Sequence, residues 1–178
     1  MNRLNIQSAI VLMLGLILIG YGLTSPAITG MATGTTTATV TSGTSISMVT
    51  STVALGDMAI NTWNDTSDGV PAGFKVRNDG NVNLNISLNS SDDLWDTAAN
   101  PTANYTAKCT NNTAEWNCTA GSAITYTNVP TAVTVFIYNM SFDTTVDEAV
   151  VDINVTVPSA ETPGAKSSVI TFTGSAAA

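Results

Sequence analysis

In the stretch VRNDGNVNLNISLNSS, Val76 to Ser91, the residues Val82, Leu84, Ile86 and Leu88 share one parity, while Asn81, Asn83, Asn85, Ser87 and Asn89 share the other. A period of two marks a strand with one dry and one wet face, since successive side chains leave a pleated backbone on opposite sides. Such a strand cannot stand alone: its backbone groups need a neighbouring strand, and its aliphatic row needs a second layer to cover it. Its register is locked as well, because a slip of one residue would turn the whole aliphatic row into water. The wet row is made of amides and hydroxyls, where a soluble sheet commonly uses Lys, Glu or Arg. That choice runs through the chain. Charged residues make up 10% of it, against roughly 25% in ordinary soluble proteins, and Ser with Thr supply about a quarter of all positions.

Similar short runs, separated by Gly, Pro, Asn and Asp, predict strands at Thr35 to Thr41, Ser45 to Val53, Gly73 to Arg77, Asn81 to Asn89, Tyr105 to Cys109, Glu115 to Thr119, Ala123 to Thr127, Ala132 to Met140, Ala149 to Val157 and Ser167 to Thr173. The fold class expected is an antiparallel all-β sandwich. In the strand at Ala149 to Val157, Val151, Ile153, Val155 and Val157 oppose Asp152, Asn154 and Thr156. By contrast Val133 to Phe142 is apolar on both parities, which predicts a central strand covered on both sides. For the connection at Asn78, a two-residue Asp79-Gly80 turn would set Arg77 against Val82 and mix wet with dry. A three-residue loop, Asn78-Asp79-Gly80, sets Val76 against Val82 and Phe74 against Leu84, with Gly80 in the left-handed conformation. An arch that carries the chain from one sheet to the other keeps the same inward parity, so both connections stay open.

The chain begins MNRLNIQSAIVLMLGLILIGYGLTSPAITGMATG, with one cation at Arg3, an apolar run from Ala9 to Leu23 and small-residue steps ending at Ala27 or Ala32. This is the pattern of a secretory leader. The run of about 15 residues is a few short of the ~20 that span a bilayer. Residues 1–32 are therefore read as a hydrophobic signal peptide or amino-terminal membrane anchor helix, and 33–178 as a single exported β-sandwich domain whose Thr-rich segment 33–52 opens it. Type IV pilin leaders are cut at a basic-small step followed by a Glu; here Asn5-Ile6-Gln7-Ser8-Ala9 has neither. The domain is long enough to bury nearly 70% of its unfolded surface. After the last strand the chain reads Thr-Gly-Ser-Ala-Ala-Ala, so attachment to a surface is expected through the leader, an assembly contact or a partner.

The net charge is −8, from 13 acids and 5 bases. The bases Arg3, Lys75, Arg77, Lys108 and Lys166 are scattered, which argues against nucleic acid and against anionic membrane surfaces; membrane contact is expected only through the amino-terminal segment. Cys109 and Cys118 form a close pair, most simply a disulfide in an oxidising compartment. Set opposite one another in a hairpin, with Ala107 and Ala120 following on the same face, they close a loop worth about 2.7 kcal/mol in the chain-entropy model. With no histidine and no free thiol, neither a Ser-His-Asp nor a Cys-His apparatus can be assembled, so no enzyme and no cofactor is expected. The acids Asp92, Asp93 and Asp96 would suit glycosidic chemistry, and they or Asp143, Asp147 and Glu148 would suit Ca²⁺, but neither group matches a dedicated calcium loop, and both are read as solvated turn acids. Trp63, Trp95 and Trp116 are read as core or rim packing, with a sugar-stacking platform as the alternative.

Asn-x-Ser/Thr occurs at Asn64, Asn85, Asn89, Asn104, Asn111, Asn117, Asn139 and Asn154. Composition alone accounts for roughly half that number. Asn85 and Asn154 lie on outward parities, Asn89 ends a strand and Asn111 lies in the cystine loop, so glycans there would stand in solvent. Asn139 follows the parity of Val135 and Ile137 and is expected to stay unmodified. The competing reading is that these amides simply solvate a sheet of low charge.

The runs FKVRNDGNVNLNISL, Phe74 to Leu88, and PGAKSSVITFT, Pro163 to Thr173, resemble the strand-turn-strand and final strand of immunoglobulin-like sandwich domains of archaeal cell-surface proteins. A weaker similarity is to secreted filament subunits of the TasA and camelysin type, including archaeal bundling pili. That resemblance implies an amino-terminal segment that completes a neighbour's sheet, a role open to Thr33 to Val49, which equally fits as this domain's own first strands. Together the resemblances imply an immunoglobulin-like or jelly-roll-like sandwich and a non-enzymatic structural protein of the cell envelope. It would be N-glycosylated and extracellular, coating the surface or polymerising with itself or other envelope proteins. The alternative is an adhesin-like module that recognises a carbohydrate or protein through its loops.

Overall fold

A computed structural model describes residues 37–111 and 118–178; the leader, the start of the Thr-rich segment and residues 112–117 lie outside them. The chain divides into the units Met1–Thr39 and Val40–Ala178. Of the first unit only residues 37–39 are described, and they form no strand. The described residues of the second unit hold nine strands: β1 (Ile46–Thr50), β2 (Trp63–Asp65), β3 (Phe74–Asn78), β4 (Leu84–Ser90), β5 (Tyr105–Thr110), β6 (Thr127–Asn128), β7 (Thr134–Met140), β8 (Glu148–Thr156) and β9 (Ile170–Ala176). All pairings are antiparallel. One sheet runs β1-β3-β8-β5-β6, with β2 also on β8, and the other runs β7-β4-β9. No helix occurs among the described residues, and none there is long and apolar enough to cross a membrane.

The two sheets share one core. Val76, Ala107, Ala149, Val151, Ile153 and Val155 face inward from the larger sheet, and Leu84, Ile86, Leu88, Phe136, Ile137 and Met140 from the smaller. Each large aliphatic so buried stabilises by roughly 1.5–3 kcal/mol. Phe74 of β3 meets Phe172 of β9 edge to face, with centroids 5.8 Å apart, tying the layers together on one side. On the other side segment 122–123 bridges the sheets: Ala123 accepts from the Cys109 N–H at 2.6 Å and donates to Phe136 O at 2.9 Å. Next to it the Tyr138 N–H donates to Ser122 Oγ at 3.0 Å.

The alternating stretch is β4, buried at every second residue as its pattern requires, and it is the central strand of the smaller sheet. Its connection to β3 is the arch, not the hairpin. β3 pairs with β1 and β8, while β4 pairs with β7 and β9, so the expected Val76–Val82 and Phe74–Leu84 pairs do not form. The reason lies in Asn78, which is fully buried and spans the gap between the layers. Its Nδ2 donates to Val82 O, Met140 O and Ser141 O at 3.0, 3.2 and 3.1 Å, while its Oδ1 accepts from the Gly80 N–H at 3.0 Å. Gly80 is not left-handed. It is required by a close approach, since a Cβ there would lie 2.4 Å from the Gly43 carbonyl oxygen.

β7, expected to be a central strand covered on both sides, is an edge strand; the central position in its sheet is taken by β4. Its double-parity apolar pattern has another cause. Pairing with β4 shifts register between Leu84 and Ile86 and again between Ile86 and Ser87, and Asn139 adopts a left-handed φ of 54°. The strand therefore rotates, so that consecutive Phe136 and Ile137 both face the core while Val133, Tyr138 and Phe142 stay exposed. The same rotation overturns the parity argument for Asn139: it is exposed, and Met140 is buried instead.

The Thr-rich segment splits. Ile46–Thr50 pairs with β3 of its own chain, whereas residues 40–45 form no strand and are exposed, held at the arch by Asn81 through Thr41 O and the Gly43 N–H. The strand expected at Thr35 to Thr41 is thus absent from residue 37 onward. Of the run Ala123 to Thr127, only Thr127 is in a strand; of Glu115 to Thr119, Cys118 and Thr119 are not, and the rest lies outside the described residues.

Candidate functional site

The outer face of the smaller sheet carries no ionisable side chain along β4 and β9. Asn85 pairs with Ser175, Ser87 with Thr173, and Asn89 with Thr171, so amides and hydroxyls stand in cross-strand rows. Ser87 also pairs with Val135 of β7, which completes the sheet's width. The amides organise their surroundings locally: Asn85 Oδ1 accepts from the Asn139 N–H at 3.0 Å, and Asn83 Nδ2 donates to Asn139 Oδ1 at 3.0 Å.

The outer face of the larger sheet is built the opposite way. Lys75 pairs with Glu148 at 3.1 Å, Arg77 with Asp79 at 2.6 Å, and Lys108 stands 4.0 Å from Asp152. Asp152 lies on the outward parity of β8 but is 2% exposed. Thr66 Oγ1 donates to its Oδ1 at 2.8 Å and Thr110 Oγ1 to its Oδ2 at 2.5 Å. Gly73 makes room for this packing, because a Cβ there would meet Val151 O at 2.8 Å and Asp152 Oδ1 at 2.9 Å. Lys108 also lies 4.6 Å from the centroid of the Tyr126 ring, a cation-π contact that covers the cluster. Burial first, then the charges of Asp65 and Asp152, pushes the Tyr126 hydroxyl up to about 12. A buried carboxylate of this kind costs several kcal/mol unless paired and hydrogen-bonded, and here it is both. Sequence reasoning missed it, although a lone acid inside VVDINV was a signal.

Cys109 and Cys118 form the expected disulfide, with Cα atoms 5.8 Å apart. The hairpin expected around it is not formed by the described residues: β5 is flanked by β8 and β6, and Ala120 is exposed while Ala107 is buried. Asn111 Oδ1 accepts from the Cys118 N–H at 3.1 Å, bracing the loop. Of the other sequon residues, Asn85 and Asn89 are on the outward row of β4, and Asn154 is on the outward row of β8 opposite Thr106 and Asp65. Asn64 faces the other way. It pairs with inward-facing Val155, and its Nδ2 donates to Leu55 O at 3.1 Å. Asn104 is half-buried, with its carbonyl accepting from Trp95 Nε1 at 3.2 Å and from the Thr156 N–H at 3.0 Å. Asn117 lies outside the described residues. The sites are spread over both faces and one end, not gathered at one place.

A groove of about 1070 Å³ opens beside the core, lined by Leu55, Met58, Phe74, Trp95, Tyr105, Ile153, Val155 and Val157, with residues 161–168 as one lip. The lip is held by Glu161, whose carboxylate accepts from Lys166 Nζ at 2.6 Å, Thr97 Oγ1 at 2.8 Å and the backbone N–H groups of Asp96 and Thr97. Lys166 above all, with these amides and the hydroxyl, holds the Glu161 carboxyl down to about 2. Lys166 pairs with Asp96 as well, so Asp96 is engaged by a cation and is not gathered with Asp92 and Asp93. Asp93 caps the Asn100 N–H at 2.6 Å, and Asp143 accepts from the Thr145 N–H at 3.0 Å. Among the described residues no three of His, Cys, Asp or Glu are grouped to hold a metal ion. The tryptophans form no platform there: Trp95 is buried, Trp63 is exposed on β2, and Trp116 lies outside the described residues.

No family model matches the sequence, and no curated protein or solved structure is significantly similar to it.

Proposed function

We propose that the chain is a non-enzymatic structural subunit of an extracellular envelope, exported by its leader and glycosylated on outward asparagines. The observation that carries this reading is the uncharged outer face of the smaller sheet. A neutral face of amides and hydroxyls can be covered by a glycan or a neighbouring subunit without desolvating an ion, which is the main electrostatic obstacle to close packing. The disulfide supports an oxidising compartment. The resemblance of Phe74 to Leu88 and of Pro163 to Thr173 to immunoglobulin-like surface domains supports the same setting. Intact mass spectrometry of the native product tests the reading. Loss of residues through Ala27 or Ala32, two hydrogens fewer than the dithiol form and added glycan mass are expected, while an unprocessed, unmodified, reduced chain recovered from cytoplasm defeats it.

A binding module is the second reading, favoured by the apolar groove and its aromatic lining of Phe74, Trp95 and Tyr105. Electron microscopy of the purified chain separates the two. Fibres or lattices support the structural subunit; dispersed particles that capture a ligand in the groove support the module.

A further inference from the structure

β9 is the one long strand edge in the described residues that nothing protects. Its opposite number in the same sheet, β7, is interrupted by two register shifts and the left-handed Asn139, and segment 122–123 bonds along it. β1 is broken by a bulge between Met48 and Thr50, and β6 is two residues long. Bulges, twists, short length and covering segments are the usual means of keeping an edge from pairing with another chain, as are Lys and Pro. β9, ITFTGSA, has none of them, and its ladder with β4 runs from Ile170 to Ala176 without a register shift.

The backbone directions follow from two flanking bonds. Ala177 N–H donates to Asn83 O at 2.8 Å and Ser91 N–H to Val169 O at 3.2 Å. In an antiparallel ladder hydrogen-bonded and non-hydrogen-bonded pairs alternate, so the odd-numbered residues of β9 bond to β4. Ile170, Phe172, Gly174 and Ala176 therefore turn their N–H and C=O groups to the open edge.

We propose that this edge pairs with the same edge of a second copy, antiparallel about a two-fold axis at Thr173, so that two three-stranded sheets become one. The strand is chemically palindromic about that residue. Thr173 meets Thr173 of the other copy, Thr171 meets Ser175, Phe172 meets Gly174, and Ile170 meets Ala176. Hydroxyls oppose hydroxyls on the outer face, and on the inner face each large side chain meets a small one. In this register all four residues whose backbone groups face the open edge fall at hydrogen-bonded positions. A shift of the axis by one residue in either direction leaves an end residue without a partner. Gly174 is held small by its own chain, since a Cβ would lie 2.9 Å from Ile46 Cγ2, so the Phe172 facing it across the axis meets no opposing side chain. The chain's net charge of −8 opposes association at long range, yet no charged residue lies in β9, so no like charges meet across the axis. A closed two-fold contact of this kind makes a dimer, not a fibre, and it stands apart from any contact that builds a polymer.

The test uses the purified full chain, its Thr173→Lys variant and its Thr173→Cys variant. Light scattering is expected to give about twice the monomer mass for the unaltered chain and monomer mass for Thr173→Lys, which sets like charges against each other on the axis. Thr173 is exposed, so circular dichroism should be unchanged. Thr173→Cys is expected to form an intermolecular disulfide through residue 173 alone, because residues facing each other at a non-hydrogen-bonded position have Cα atoms about 4.5 Å apart. Peptide mapping distinguishes that bond from exchange with Cys109 or Cys118. Monomer mass at every soluble concentration, a Thr173→Lys variant that stays dimeric, or a dimer in which residue 173 does not cross-link overturns the proposal. If the chain forms fibres, Thr173→Lys should leave them in place and Thr173→Cys should cross-link chains within them in pairs; absence of fibres from the unaltered chain bears on the structural reading alone.

Discussion

The two sheets share a core but solve the problem of their outer faces differently. The larger sheet gathers Lys75, Arg77, Lys108, Glu148 and Asp152 and, with Asp79 of the arch, settles them in three pairs, with Asp152 taken out of water altogether. The smaller sheet uses no charge along β4 and β9 and relies on Asn, Ser and Thr. A sheet that pins its own surface loops can use buried ionic contacts, because loss of a partner is costly and the geometry becomes specific. A sheet that presents itself to another surface does better with groups that are cheap to cover. The low charge of the chain is therefore not evenly spread, and what is neutral is one face.

This contrast can be broken most directly at Asp152. Asp152→Ala removes the acceptor of Thr66 and Thr110 and the counter-ion of Lys108, and urea unfolding is expected to show a loss of about 3–5 kcal/mol. A loss below 1 kcal/mol would mean the cluster is surface decoration. Asn78→Ala, which strips three carbonyls of a donor where the chain crosses between the sheets, should cost about 3 kcal/mol in the same measurement. Replacing Cys109 and Cys118 together by Ser should cost about 2–3 kcal/mol, with the sheets still formed by circular dichroism.

Acid sensitivity should trace to the lip of the groove. The Glu161 carboxyl is depressed from 4.5 to about 2 in the folded chain, so its contribution is fully present above 4.5 and is lost as pH falls towards 2. Thermal melts of the wild type and Glu161→Gln should differ at pH 6 and converge near pH 2. A gap that is constant with pH would place the stabilisation in packing instead. The smallest effect is expected on the neutral face: Thr171→Val, which keeps a β-branched side chain on an exposed position, should change stability by less than about 0.5 kcal/mol.

Much of the fold was legible because a strand's period is written locally. β4 and β8 stand where alternation placed them, and the cystine follows from the nearness of its two residues. β7 misled because alternation assumes a regular ladder, and its two register shifts depend on what β4 offers opposite. The candidate site was less legible. Asp152 and Asn78 owe their roles to Thr66 and Met140, which are 86 and 62 positions away.

By itself, then, the sequence determined the antiparallel all-β character, which rows point inward and which residues can be neutral or ionic, because these depend on side-chain chemistry and a two-residue period. Only the tertiary structure decided that β3 and β4 part at an arch, that the ion pairs of the strands collect on one sheet while the other presents a neutral face, and that no other described residue covers the edge of β9. Those are matters of which strand lies beside which, and strand order is set by contacts between residues far apart in the chain, where no local pattern reaches.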